Sequence, residues 1–383
     1  MTSGGSLGTG DVTVNGGELE INGKNVVIGS QLSITNGTVT ANYSANSSEA
    51  VIGHSTKVNI GAGGTLKLTG HDSMGWDGAS RADIVLGGSA SAIAKLDIQD
   101  YPGENEAVCT FSNGIVMNGN AEITGTAFST YGIRTDIPNG SEVDVKGSRI
   151  TVSGTNNKIT TKSLEIRRAL EIAIAEKAVL TVDSLLFFND YNDSTADRRV
   201  TKSGAGTLEL TNTGNTWDKN MHVTGGTLRL VGAAKLPGSV TMDSGTRLET
   251  GTGAVGNLTM AGNSTLDADT AVTLNGTLTF NGVVNLDGAI KNALYAGEQT
   301  VKLFTGITSL VLNGTTYDST ARVAYNPVDL EEVFAFDGLE ADKYQLHYSG
   351  GELFASLSVP EPATATLSLL ALAGLCARRR RTM

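Results

Sequence analysis

Apolar and polar residues alternate in short segments along most of the chain, from residue 1 to about residue 290. Each segment spans four to six residues and follows a Gly or an Asn-Gly pair, with clear examples at residues 17–21, 64–68, 206–210 and 226–230. Alternation with a period of two, bounded by Gly and Asn, is typical of short strands that bury one face. The pattern therefore predicts an all-β fold.

Asn-Gly pairs mark candidate turns between these segments. Examples lie at residues 22–23, 36–37, 139–140, 275–276 and 281–282. Both residue types tolerate the positive φ that tight turns require. We expect a tight turn with positive φ at each pair.

The spacing of the leucines predicts how the strands are arranged. Leu208, Leu228 and Leu248 lie at twenty-residue intervals, each after a Gly-Thr or Gly-Thr-Arg lead-in. Self-similarity at this period is typical of a solenoid, in which each coil buries its apolar face by stacking on its neighbours. Beyond Leu248 the interval changes, and leucines follow at eight-residue spacing from Leu258. We therefore predict a β-solenoid over residues 1–290 with coils of unequal length.

One segment, residues 164–183, tests the strand assignment because its composition also suits a helix. Eight of the ten even-numbered positions are apolar, and the larger aliphatic side chains are concentrated there. A helix would instead group apolar residues three and four positions apart. We therefore favour strands over a helix here.

Residues 291–358 differ from the preceding chain because they hold much of its aromatic content. The aromatic residues are Tyr295, Phe304, Tyr317, Tyr325, Phe334, Phe336, Tyr344, Tyr348 and Phe354. Aromatic side chains bury large areas, which suits a compact cap of antiparallel strands over the last coil. We predict such a β cap over residues 291–358.

Composition and charge exclude several classes of protein. The chain has 48 Gly but only 6 Pro in 383 residues, and lacks the Gly-X-Y period of collagen. The net charge of −11 argues against nucleic-acid binding, since the one basic cluster lies at the extreme C-terminus. Cys109 and Cys376 are the only cysteines, too few for a disulfide framework or a thiolate zinc site.

The C-terminal tail, residues 359–383, has three parts in a fixed order. Pro360, Glu361 and Pro362 precede an uncharged apolar run over residues 363–377, which ends at Arg378, Arg379, Arg380 and Arg381. A fifteen-residue helix would be about 22 Å long, somewhat short for the hydrocarbon core of a bilayer. Arginine side chains that snorkel to the interface and local thinning of the bilayer would make up the difference. The arginines would stay on the cytoplasmic side. A buried core helix is the alternative interpretation. A helix that is uncharged on all sides and ends in four arginines fits a membrane segment better.

This order of Pro-Glu-Pro, apolar helix and arginine cluster resembles the PEP-CTERM sorting signal of Gram-negative bacteria. The resemblance covers about 23 residues. It implies recognition by an exosortase-type membrane transpeptidase, which removes the tail during delivery to the cell surface. Pro360 and Pro362 suit that role, because each disfavours helix in the residue before it and keeps this stretch extended. The resemblance also implies that the inner membrane holds residues 363–377 only transiently.

A second resemblance lies in the middle of the chain, with its best match over residues 202–232. The segments at 202–211, 215–217 and 223–228 resemble the autotransporter-associated β-strand repeat, which forms right-handed parallel β-helices in secreted passenger domains. Residues 218–222 depart from the usual Gly-containing linker, which leaves the turn of that coil open. No terminal series of long alternating strands follows, so we do not expect a self-exporting membrane barrel.

The N-terminal residues pose a conflict with export. Residues 1–6 contain neither the charged nor the apolar region of a signal peptide. We expect a truncated sequence or a misplaced start codon, rather than residence in the cytoplasm, to account for this. A cytoplasmic structural protein is the interpretation that would follow if the signal peptide were truly lacking.

No residue pattern predicts catalysis or a cofactor. His54, His71, His222 and His347 are scattered singly, and residues 71–77 combine triad residue types too close in sequence for triad geometry. No Gly-x-Ser-x-Gly elbow or phosphate-binding Gly loop occurs. We therefore predict no catalytic, cofactor-binding or metal-binding residues.

Asp267 and Asp269 are the one pair that could contribute to a calcium site. They lie two residues apart, and a neighbouring coil would have to complete the six to eight oxygens that calcium needs. The Gly-rich nonapeptide that binds calcium in β-solenoids does not occur. We favour a solvated acidic face over a calcium site.

Taken together, the sequence predicts an exported β-solenoid that is sorted to the cell surface, outer membrane or extracellular matrix. We expect a structural or adhesive role, with glycans, surface polysaccharide or neighbouring proteins as contacts of its extended faces. The alternative is a carbohydrate-active β-helix enzyme, a lyase or hydrolase. That alternative requires a groove lined by acidic and basic groups from at least three coils.

Overall fold

The structure, a computed structural model, describes thirteen stretches of the chain. They are residues 7, 10–22, 30–42, 52, 56–69, 84–99, 109–111, 114–130, 148–166, 169–187, 199–318, 328–335 and 344–357. Strands dominate these stretches, and the prediction of an all-β protein is confirmed.

The strands of the N-terminal half, in chain order, are β1 (Val12–Asn15), β2 (Glu18–Asn22), β3 (Gln31–Thr35), β4 (Thr38–Asn42), β5 (Lys57–Ile60), β6 (Thr65–Thr69), β7 (Ile84–Leu86), β8 (Ala94–Gln99), β9 (Cys109–Phe111), β10 (Gly114–Met117), β11 (Ala121–Thr130), β12 (Ser148–Val152), β13 (Asn157–Ile166), β14 (Leu170–Ile174), β15 (Val179–Val182) and β16 (Leu185–Phe187). 

The elements of the C-terminal half are β17 (Val200–Ser203), β18 (Thr207–Leu210), β19 (Met221–Val223), β20 (Thr227–Leu230), β21 (Leu236–Met242), β22 (Arg247–Thr250), β23 (Ala254–Ala261), β24 (Thr265–Ala268), β25 (Val272–Leu274), β26 (Thr277–Asn281), β27 (Val284–Asp287), the helix α1 (Gly288–Tyr295), β28 (Thr300–Thr305), β29 (Ser309–Leu312), β30 (Thr315–Asp318), β31 (Val328–Asp329), a 3-10 turn (Leu330–Glu332), β32 (Phe334–Ala335), β33 (Tyr344–Ser349) and β34 (Glu352–Leu357). 

Successive strands contribute alternately to two long parallel sheets. In the first sheet β1, β3, β5, β7, β10, β12, β14, β17, β19, β21 and β23 pair in that order. In the second sheet the order is β2, β4, β6, β8, β11, β13, β15, β18, β20, β22, β24, β27 and β32, with the short β9 and β16 beside β11 and β13. Each coil thus gives one main strand to each sheet, which fits the predicted β-solenoid.

Parallel pairing in register stacks equivalent side chains from coil to coil. Leu208, Leu228, Leu248 and Leu266 are paired strand to strand in the second sheet, and all four are fully buried. Neighbouring strands lie about 4.8 Å apart, so such a column is a continuous line of apolar contacts. The alternating positions point outward, and the core lies between the two sheets.

The coils differ in length, as the leucine spacing predicted. Leu208 and Leu228 pair at twenty residues, whereas Leu248 and Leu266 pair at eighteen. Ile123 pairs with a residue thirty-six positions further along, Ile159. Most of the variation lies in the connections, because the paired strands must keep their register for the core to remain filled. One irregularity lies within strands, where the pairing of β21 with β23 shifts between Leu236 and Ser239.

The described residues of the segment 164–183 form strands joined by a turn, and not a helix. The segment covers the end of β13, then β14 and β15, and its even-numbered aliphatic residues are buried. Lys177, at a turn between β14 and β15, has a φ of 63°. Burial between the sheets therefore outweighs the intrinsic helix propensity of this segment.

The Asn-Gly pairs behave in two different ways. Asn36 has a φ of 49° and Gly282 a φ of 117°, as expected for tight turns. Neither residue of the 275–276 pair has a positive φ, so the expectation was wrong there. Gly276 lies between β25 and β26 of the same sheet, where a β-carbon would overlap Asn257 Oδ1. The close approach of Asn257, and not a positive φ, therefore explains why a glycine is needed at position 276. Residues 23 and 139–140 lie outside the described residues.

The parallel stack continues past residue 290. β28 and β29 pair with β25 and β26, and β32 pairs with β27, all in parallel. Antiparallel pairs then join β28 to β34, β34 to β33, and β29 to β30. The ring of Phe280 packs edge-on against Phe304 and Phe334, with centroids 5.9 Å and 5.2 Å apart. That residues 291–358 act as a separate cap stays a prediction.

The inward-facing leucines should contribute much more to the free energy of unfolding than their outward-facing neighbours. We expect Leu228→Ala to lower the free energy of unfolding by about 2–5 kcal/mol, because it opens a cavity in the stacked column. Thr227→Ala, one position earlier and on the outer face, is the matched control and should change it by less than about 0.5 kcal/mol. Denaturant titration of both variants checks this, and equal effects would contradict the inward–outward assignment.

Candidate functional site

The residues predicted to act in sorting lie outside the described residues. These are Pro360, Glu361, Pro362, Arg378, Arg379, Arg380 and Arg381, together with the apolar run 363–377. Within the described stretches, no helix is both long enough and apolar enough to cross a membrane. The chemistry that the structure itself shows therefore lies on the coils, in an ion-pair network, a buried lysine and a histidine–carboxylate pair.

Charged residues form a column on the outer face of the second sheet. Glu209, Arg229, Glu249, Asp267 and Asp287 pair in register on five successive strands. Arg229 donates from Nη1 to Glu209 Oε2 at 3.1 Å and from Nε to Glu249 Oε2. One guanidinium thus bridges the coils before and after its own.

Arg247 extends the network toward the C-terminal end. Its Nε donates to Glu249 Oε1 at 3.1 Å, and its Nη2 donates to Asp267 and to Asp287 Oδ2, the latter at 2.9 Å. The side chain therefore links carboxylates from three successive coils. We call Glu209, Arg229, Arg247, Glu249, Asp267 and Asp287 the charge ladder.

Contacts within the charge ladder favour the ionised forms of Arg229, Arg247 and Asp287. The hydrogen bond from Arg247 is the main reason that the pKa of Asp287 lies below its usual range. Burial lowers the pKa of Arg247, but hydrogen bonds to Asp287 and Asp267 outweigh it and raise that pKa overall. Hydrogen bonding to Glu249 likewise raises the pKa of Arg229.

The sequence prediction for Asp267 and Asp269 was incomplete, because it did not include their partners. Asp267 pairs with Arg247, and Asp269 Oδ1 accepts a hydrogen bond from the backbone N–H of Ala289 at 3.2 Å. Among the described residues, no three His, Cys, Asp or Glu side chains are grouped to hold a metal ion. The twenty-residue period in the sequence could have revealed this ion-pair network, since it places Glu209, Arg229 and Glu249 at equivalent positions of successive coils.

Lys202 is fully buried, which its position at the start of the repeat-like segment 202–211 did not predict. In the first sheet it pairs with Ile172 and Val223, both core residues. Its Nζ donates to three backbone carbonyl oxygens, at 2.7 Å to Gly204 and 2.5 Å to both Gly206 and Gly225. All three ammonium protons are therefore used, and the bond to Gly225 ties one coil to the next.

The environment of Lys202 also affects its protonation. Burial disfavours the charged form and lowers the pKa of Lys202 from 10.5 to about 8. The position beside the Lys202 ammonium group also requires a glycine, Gly226, because a β-carbon there would overlap Lys202 Nζ. The ammonium and the neighbouring glycines therefore form one structural unit.

The histidines show no triad arrangement in the described part of the chain. His222 Nε2 lies 2.9 Å from Asp243 Oδ1 on the outer face of the first sheet. His347 is placed on β33, near the C-terminal end of the described chain. His54 and residues 71–77 lie outside the described residues. That the protein is not an enzyme stays a prediction.

Comparison with known proteins concerns the tail. Residues 358–381 match the PEP-CTERM protein-sorting motif, a range that includes all seven predicted sorting residues. No curated protein and no solved structure matches the chain. The likeness of residues 202–232 to the autotransporter-associated repeat stays a prediction.

The matched motif defines the class of protein. It indicates an exported protein that is sorted and processed by an exosortase, a membrane-associated enzyme. It also implies a location at the cell surface or outside the cell. Fold and motif together describe an exported protein with long parallel β-sheets and a C-terminal sorting motif.

Arg247 should stabilise the stack more than an isolated surface arginine does. We expect Arg247→Ala to lower the free energy of unfolding by about 1–3 kcal/mol, because three carboxylates lose their shared cation. The loss should be larger at low salt, where repulsion between the carboxylates is less screened. Denaturant titration at two salt concentrations measures both effects.

Arg149→Ala is the matched control for this experiment. Arg149 contacts one carboxylate, Glu171, at 3.5 Å and is more exposed than Arg247. Arg149→Ala should lower the free energy of unfolding by less than about 0.5 kcal/mol. Equal losses in both variants would show that the shared contacts of Arg247 add nothing.

Lys202 should make stability depend on pH in the alkaline range. Its pKa is about 8 in the folded protein and 10.5 when unfolded, so between these values the unfolded state binds more protons. The free energy of unfolding should therefore rise as pH increases from about 8, by up to about 3 kcal/mol. Urea titrations between about pH 7.5 and 9.5 measure this slope.

Lys202→Met provides the comparison, because it keeps an unbranched side chain and removes the titrating group. The difference in pH slope between the two proteins isolates Lys202 from other alkaline groups. Tyr344 is one such group, since burial raises its pKa above the usual value. Identical slopes in the two proteins would contradict a lowered pKa for Lys202.

Proposed function

We propose that this protein is an exported β-solenoid that acts at the cell surface as a structural or adhesive module. The observation that supports the proposal most directly is the PEP-CTERM protein-sorting motif at residues 358–381, which follows a long stack of parallel strands. The motif supports the route and the destination. The stack supports the role, since coils joined through every strand suit a rod with extended faces.

The dimensions of the stack suit such a role. Thirteen strands follow one another in the described part of the second sheet, which corresponds to a length of about 60 Å. Ion pairs of the charge ladder link successive coils on the outside, and Lys202 links two coils on the inside. A module built in this way resists local opening, because each coil is held by both neighbours.

The tail would act as a temporary membrane segment. Its uncharged run of fifteen residues would enter the inner membrane, with Arg378 to Arg381 on the cytoplasmic side. Removal of the tail takes away four of 28 basic and one of 39 acidic residues, so the net charge changes from −11 to −14. The released protein would then be soluble and repelled by anionic lipid. A right-handed coil and an antiparallel cap complete the proposed architecture.

A carbohydrate-active role is the second candidate, and one observation favours it. Arg247, Asp267 and Asp287 bring basic and acidic groups from three successive coils to one place, as a β-helix enzyme would require. A glycosidase needs a carboxyl group with a raised pKa as its general acid. The pKa of Asp287 is lowered instead. The arrangement therefore suits binding of a carbohydrate better than its hydrolysis.

The sorting proposal can be tested on protein recovered from fractionated native cells. Intact mass and terminal sequencing should find the surface form ending near Pro360 to Pro362. Replacing all four arginines by alanine (R378A, R379A, R380A and R381A) should leave an unprocessed chain in the cell, because the topology signal is lost.

The matched control replaces the same four arginines by lysine. Lysine keeps the positive charge, so normal processing is expected if charge directs the orientation of the tail. An alanine variant that reached the surface in processed form, in wild-type amounts, would overturn the proposed role of the arginines. A wild-type chain that stayed full-length and soluble in the cytoplasm would overturn the proposal of export.

A further inference from the structure

A small cavity lies beside β27, next to β32, the last strand of the second sheet in the described chain. There β32 pairs with Val284 and Asn285 of β27. This cavity has a volume of about 200 Å³ and is lined mainly by the polar side chains of Arg247, Thr265, Asn285, Asp287 and Lys291, with Leu286 and Ala335 beside them.

The register of the sheet aims these polar side chains at one place. Arg247, Thr265 and Asn285 belong to one outward column, on β22, β24 and β27. Asp287 lies two residues after Asn285 on the same face of β27, and Lys291 follows one turn into α1. The lining thus comes from three successive coils and the adjoining helix.

Two of the lining side chains have hydrogen-bonding capacity to spare. Thr265 Oγ1 has no hydrogen-bond partner among the described residues. Asn285 makes a single long bond within the described chain, from Nδ2 to Asn263 O at 3.5 Å. These groups would satisfy a ligand without breaking an existing strong contact.

The charges around the cavity favour a neutral ligand. Arg247 and Lys291 are cations, while Asp287 is an anion that Arg247 holds ionised. An anionic ligand would face Asp287 and the adjacent Asp267, and a cationic ligand would face both basic groups. A neutral ligand with several hydroxyl groups meets donors and acceptors alike and meets no like charge.

We propose that this cavity binds one neutral sugar residue of a glycan. The proposal deepens the proposed adhesive role and rests on it. The volume is below the about 300–1,000 Å³ of pockets for drug-sized ligands, which suits a group the size of one sugar ring. Asp287 accepts hydrogen bonds from hydroxyl groups, Asn285 and Thr265 supply further donors and acceptors, and the exposed Ala335 contacts an apolar face of the ring.

Saturation-transfer NMR on the full chain tests the proposal. The probes are methyl glucoside, methyl mannoside and methyl galactoside at millimolar concentration, with sodium glucuronate as the charged comparison. We expect saturation transfer to at least one methyl glycoside and weaker transfer to glucuronate. Absence of transfer to all three glycosides, or a preference for glucuronate, would overturn the proposal.

Variants then locate the binding. Thr265→Val and Asn285→Ala together should weaken binding by about tenfold or more, because the spare donors and acceptors are lost. Thr207→Val is the matched control, since Thr207 lies in the same column three strands before Thr265. Circular dichroism and the unfolding midpoint check that each variant is folded. Equal binding by all variants would place the sugar elsewhere and overturn the assignment.

This experiment separates the two proposals. Sugar binding is measured on purified protein, whereas export and processing are measured in fractionated cells. A chain that is exported and processed but binds no sugar would leave the sorting proposal intact. A chain that binds sugar but remains in the cytoplasm would overturn export alone.

Discussion

Backbone pairing between successive coils is the constraint on which the rest of this structure depends. Parallel strands in register place each residue about 4.8 Å from its counterpart in the next coil. A side chain therefore meets the same position of the neighbouring coil, whether it points inward or outward. Columns of leucine fill the interior for this reason, and Leu208, Leu228, Leu248 and Leu266 form one of them.

The same constraint determines where charges can stand on the outer face. Equal charges in one column would repel at short distance, so Glu209, Arg229 and Glu249 alternate in sign. Asp267 and Asp287 follow in that column without a cation between them, and Arg247 in the adjacent column supplies it. The network thus compensates for carboxylates that the column alone would leave facing each other.

Both proposed contacts with other molecules lie toward the C-terminal end of the described stack. Beside β27 and β32, side chains from three coils converge on one small cavity. In the chain, the sorting motif follows the last strand and connects the stack to the export route. The regular part provides length and stability, while the contacts that we propose with other molecules lie beside the last described strands and in the tail.

Local patterns in the sequence determined the strands, because the period-2 alternation of segments such as 206–210 and 164–183 depends only on neighbouring residues. The sorting motif was equally readable, since its three parts are contiguous in the chain. Register between strands that lie eighteen or more residues apart is not local, so only the tertiary structure showed that Arg247 spans three coils. Burial of Lys202 was likewise hidden, because the three carbonyls that satisfy its ammonium come together only when two coils stack.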